Sequence, residues 1–148
     1  DGAEKPLRLV AMDGEDLKVL SALCQDAVFP AAEMQWQAKQ NRFGILLNRF
    51  RWVDVPQAER AGRKPERVQS VLAIQDVQRV ASQGIDRTDA DTVLSLLAVE
   101  YDADANAVHL TLAGDGGIRL IVEDLDVSLR DVTRPYAAVS GKVPEHPE

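Results

Sequence analysis

Apolar and polar positions divide the chain into one helical stretch and a long series of strands. Leu7, Leu9 and Ala11 share a parity, so Pro6 to Met12 reads as a short strand. Asp13 then offers a helix N-cap, with Glu15 and Asp16 favourable to the helix dipole. Leu17, Leu20, Cys24, Ala27 and Val28 follow at helical spacing, which predicts a helix over 14–26, stopped by Pro30. Beyond it Met34 and Trp36 alternate with Gln35 and Gln37, a half-buried strand that a polar turn at Lys39-Gln40-Asn41 sends back antiparallel.

The returning stretch, Asn41 to Val55, is the one around which the pattern is organised. It holds Phe43, Phe50 and Trp52 interleaved with Arg42, Arg49 and Arg51. From Phe43 to Leu47 apolar residues occupy both parities, as in a strand covered on both sides. From Asn48 the parities separate. Asn48, Phe50 and Trp52 take one face, read as inward, and Arg49 and Arg51 take the other, read as wet.

Pro56 to Pro65 is a loop by composition. Val68 to Ile74 alternates again, and Val77 to Val80 continues it past a kink at Gln75-Asp76. Val93 to Tyr101 is apolar on both parities and reads as central, and Val108 to Leu112 alternates cleanly. Gly114-Asp115-Gly116-Gly117 signals a hairpin. Ile118, Leu120 and Val122 share one parity and Leu125, Val127 and Leu129 the other, so the chain bends or bulges at Glu123-Asp124. After Thr133 periodicity fades among Pro135, Gly141, Pro144 and Pro147, and a loosely ordered tail over 134–148 is expected behind a single domain over 6–133.

This order, one helix and then antiparallel strands, predicts an α+β fold, mostly antiparallel β, with a bent sheet, roll or incomplete barrel closed by the N-terminal helix. The outline is similar to pleckstrin-homology-like domains, an analogy of fold that transfers no ligand. The expected core joins Leu17, Leu20, Cys24, Leu46, Phe50, Leu72, Leu96, Leu110, Leu120 and Val122.

Composition narrows the functional classes. A single Cys24 excludes an internal disulfide, and with only His109 and His146 it excludes a Cys/His zinc site. No apolar run reaches the roughly 20 residues of a membrane span, and no signal-peptide pattern opens the sequence, so a cytoplasmic, membrane-free protein is expected. The net charge of −7 is uneven, at −4 over 1–38, +5 over 39–87 and −8 over 88–148. An acidic total makes nucleic acid a poor partner. The basic middle is either an anion-binding face or a segment neutralised by its neighbours.

No phosphate loop, nucleophile elbow or His-Glu-x-x-His helix is present. Glu123, Asp124 and Asp126 could gather a cation, but charges that guard a strand end explain them as well. No catalytic residue, metal site or cofactor is therefore assigned. Two classes remain: a non-catalytic binding or protein-interaction module, acting on a protein partner or by self-association as a homodimer, and a small-anion sensor or enzyme. The second would hold phosphate or carboxylate with Asn48, Arg49, Arg51 and Arg87, because the guanidinium fork suits bidentate pairing.

Asn48-Arg49-Phe50-Arg51-Trp52 carries a resemblance, with Leu23 to Val28, Gln83 to Arg87, Val93 to Ala98 and Ile118 to Glu123. Together they resemble a bacterial family of domains of unknown function, found mainly in alphaproteobacteria, over roughly residues 6–133. The resemblance implies a cytoplasmic bacterial protein and brings no activity with it.

Overall fold

The structure, a computed structural model, describes residues 6–50, 59–62, 66–85, 89, 91–134 and 136–137. Strand β1 (Arg8–Ala11) leads into helix α1 (Gly14–Cys24). Asp13 caps the helix as its sequence position suggests: its Oδ1 accepts the Asp16 N–H at 2.8 Å. The apolar stripe buries Leu17, Leu20 and Cys24. The helix ends two residues earlier than its spacing predicts. Asp26 takes a left-handed φ of 65°, and its N–H donates to Leu96 O at 2.8 Å. That bond delivers the chain into strand β2 (Ala27–Pro30), so Ala27 and Val28 belong to the sheet.

The remaining strands are β3 (Met34–Gln37), β4 (Arg42–Phe50), β5 (Glu66–Ile74), β6 (Val77–Gln83), β7 (Val93–Asp102), β8 (Ala107–Leu112), β9 (Gly116–Val122), β10 (Val127–Asp131) and β11 (Tyr136–Ala137). Every recorded pairing is antiparallel, in the order β1-β10-β5-β4-β2-β7-β8-β9-β6, with β3 added to β4 and β11 to β5. The fold is α+β: one main helix on one bent antiparallel sheet.

The bend falls where the two sequence irregularities place it. The chain turns from β5 into β6 at Gln75-Asp76, with Asp76 at φ 57°, and from β9 into β10 between Glu123 and Asp126. β5 pairs with β10 and β6 with β9, so both members of one ladder turn together. Gln75 N–H to Asp126 O and Glu123 N–H to Asp76 O, each 2.9 Å, stitch the corner. The sheet thus has two arms, β1-β10-β5-β4 and β7-β8-β9-β6, bridged by β2.

The helix lies mainly on β7 and β1. Eight of the ten expected core residues are buried in one cluster, with Leu72, Leu96 and Leu120 fully enclosed. The exceptions are Leu46 and Phe50, which are half-buried on the opposite face of β4. Phe43, Ile45, Leu47 and Arg49 form the buried face instead. The expected inward face of this strand was therefore the outward one, and the reason lies in what Arg49 meets. Of the tail, Tyr136 and Ala137 pair with Arg67 and Glu66 on β5, and residues 138–148 lie outside the described residues.

Candidate functional site

Arg49 is only 4% exposed, although its place in an Arg-Phe-Arg run suggests a wet face. Its Nε donates to Ser70 Oγ at 2.9 Å, its Nη2 to Asp131 Oδ1 at 2.8 Å and its Nη1 to Phe50 O at 3.2 Å. Ser70 Oγ in turn donates to Asp131 Oδ1 at 2.7 Å. The other carboxylate oxygen, Oδ2, accepts the Leu7 N–H at 2.9 Å. A buried guanidinium is tolerated only with such partners, since desolvating an unpaired charge costs several kcal/mol. The network ties the approach to β1 to β4, β5 and β10.

The other anion-site candidates fall elsewhere. Asn48 is half-buried on the opposite face of β4, where its Oδ1 accepts from Arg67 Nη1 at 3.2 Å. The same Arg67 guanidinium stacks 4.1 Å above the Phe50 ring. Asn48 and Arg49 therefore do not share a face. Arg51 and Arg87 lie outside the described residues, as does Trp52. Cys24 is buried within reach of the Arg49 charge. Burial pushes its thiol up to about 12, against the opposing pull of that cation. It is a protonated core group at neutral pH rather than a nucleophile.

The described surface has a more open feature between β3 and β6. Each is paired on one side only among the described residues, β3 to β4 and β6 to β9. At one end the two arms touch, where Val77 N–H donates to Asn41 O at 2.8 Å. No ladder joins β3 to β6 beyond that point, and a groove of about 280 Å³ opens between them. Met34 and Trp36 line one wall, opposite Ile45 and Phe43 on β4. Val80 and Ile118 line the other, Ile85 lies at its end, and Ala31 and Ala32 close it from the turn before β3. Trp36 is 38% exposed although it stands on the core-facing side of β3.

Sequence reasoning read Met34 and Trp36 as a half-buried strand but missed the groove. One signal was legible: Met34-Gln35-Trp36-Gln37 carries no charge, and charges are a common guard on an edge strand. The opposite wall is invisible from there because β6 begins 40 residues after β3 ends. The volume suits one or two bulky side chains; pockets for whole small molecules are larger, about 300–1,000 Å³.

Among the described residues no group of three His, Cys, Asp or Glu is placed to hold a metal ion. No described helix is long and apolar enough to cross a membrane.

A family model described as a protein of unknown function (DUF2948) matches residues 7–146. No curated protein and no solved structure matches the chain.

Proposed function

We propose, for a chain that belongs to the DUF2948 family of proteins of unknown function, a non-catalytic role in binding an extended segment of another protein. The groove between β3 and β6 is the site. The observation that supports this reading is a pair of strand edges, each unpaired on its groove side among the described residues, flanking an apolar cleft. An unpaired edge supplies backbone donors and acceptors to a guest strand, and alternate guest side chains enter the pocket below. Trp36, with Met34 and Val80 beside it, supplies the anchor. Gln35 and Gln37 add amides that can both give and accept hydrogen bonds, and no charge to repel either sign.

A display library of random peptides, selected on the wild-type protein, tests the proposal. Selected peptides should alternate apolar and polar residues. Trp36→Ala should weaken them by about tenfold or more, the usual loss at an aromatic anchor. Failure to select any peptide, or equal binding by Trp36→Ala and Val80→Glu, would overturn it. If the same edges instead pair copies of the chain, sedimentation should show a concentration-dependent dimer that both substitutions dissolve, and the partner would be the protein itself.

A further inference from the structure

The outer surface of the second arm carries a shallow trough of about 710 Å³. Two cross-strand rows build it. In one, Glu100, His109, Arg119 and Ala81 stand side by side on β7, β8, β9 and β6. In the next, Thr111, Gly117 and Gln83 follow on β8, β9 and β6. Gly117 leaves bare backbone in the middle of the second row, and Ala81 ends the first on a methyl group. Room is thereby kept beside the Arg119 side chain.

Arg119 Nη1 lies 3.0 Å from His109 Nε2. A guanidinium can only donate, so the imidazole accepts there and carries its proton on Nδ1. Among the described residues no carboxylate forms an ion pair with Arg119. Glu100 faces His109 from the far side, one strand removed from the guanidinium, and Asp115 lines the trough at the hairpin turn. This is the reverse of Arg49, whose carboxylate is fixed at 2.8 Å. An exposed guanidinium resting on one imidazole nitrogen has donors left for an acceptor with negative charge, and that acceptor can be bidentate.

We propose that this trough binds a small oxyanion, a phosphate or carboxylate group on a compact molecule, held by Arg119 with His109 bracing the guanidinium. The hydroxyl of Thr111 and the amide of Gln83 line the remaining space and can meet polar groups of the ligand body. A single oxyanion fits and a polyanion does not. Glu100 and Asp115 flank the cation, and the whole chain carries −7. The trough lies across β6 from the peptide groove and stands or falls independently of it.

Proton–nitrogen correlation spectra of the full chain, titrated with inorganic phosphate and separately with acetate at constant ionic strength in chloride, test the site. The His109 ring and the Gly117 amide should shift and saturate with at least one probe, and the tighter probe names the head group. Arg119→Ala should weaken that binding about tenfold or more, the loss of one charge-assisted hydrogen bond. Arg119 is exposed, so the variant keeps its fold, and unchanged chemical shifts across the core confirm that. Absence of saturation with both probes, or equal affinity in wild type and Arg119→Ala, overturns the proposal.

Discussion

The two arms of the sheet each carry an arginine in mid-sheet, and they use it oppositely. On the first arm Arg49 points inward, loses its water and meets Ser70, Asp131 and a backbone carbonyl. On the second arm Arg119 points outward and rests on His109, while the inward positions of its strand are Gly116, Ile118, Leu120 and Val122. The difference shows that strand parity decides the role of a cation. Turned inward, it must be satisfied by the fold and is spent on holding strands together. Turned outward, its charge remains available to a ligand.

The strongest way to break this comparison is to remove the inward cation. Arg49→Ala leaves Asp131 buried without its charge partner and should cost about 3–5 kcal/mol in urea unfolding. Arg49→Lys keeps the charge but cannot reach Ser70, Asp131 and the Phe50 carbonyl together, and should cost a smaller part of that. A loss below 1 kcal/mol for Arg49→Ala would show that the network is dispensable. The contrast between the arms would then collapse.

Ser70→Ala is the next largest step. It removes the hydroxyl that accepts from Arg49 Nε and donates to Asp131 Oδ1, both of which stay buried. About 1–3 kcal/mol should be lost, the usual range for leaving a buried polar group short of a partner.

What the sequence disclosed divides along the same line. The helix cap at Asp13, the kink at Gln75-Asp76 and the phase change at Glu123-Asp124 were legible, because each depends on residues close in sequence. The inward face of β4 was not. Phe43 to Leu47 is apolar on both parities, so the strand can face either way until something distant chooses. Asp131 makes that choice from 82 positions further along the chain, and no local spacing reports it. The start of strand β2 was read as a continuation of the helical stripe for a related reason. Ala27 and Val28 fit the helical stripe, and it is their distant partners Leu96 and Ser95 on β7 that place them in the sheet. The anion-site residues Asn48 and Arg49 were grouped by proximity in sequence although strand parity already set them on opposite faces, and the structure keeps them there. Arg119 drew no notice because its neighbours in sequence are apolar and its partner lies across the sheet.

Cys24 sharpens the comparison through pH. Its folded thiol is pushed up to about 12 from an ordinary 9.0, so the folded state keeps a proton that the unfolded chain releases. The stability this represents is whole below pH 9 and declines as pH rises from there toward 12, by about 1.4 kcal/mol per unit. Cys24→Ala should flatten that decline, compared with wild type at pH 8 and pH 10. Identical slopes would mean that the thiol ionises as freely in the folded state as in the unfolded chain. Under native conditions at neutral pH the thiol should also resist alkylation until the protein unfolds.

The smallest expected effect is also the one that separates the arms most directly. Arg119→Ala should change stability by no more than about 0.5 kcal/mol, the range of an exposed substitution without a structural partner. His109 loses a donor at Nε2 but stands half-exposed, where water can replace it. Glu100, opposite His109, is exposed and keeps its own hydration. No strand loses a backbone hydrogen bond, and no charge is left buried. Paired urea titrations of Arg49→Ala and Arg119→Ala should therefore differ by several kcal/mol for the same change of residue. If Arg119→Ala proves as costly as its counterpart, the His109 contact is a structural tie, and Arg119 has no charge to spare for a ligand.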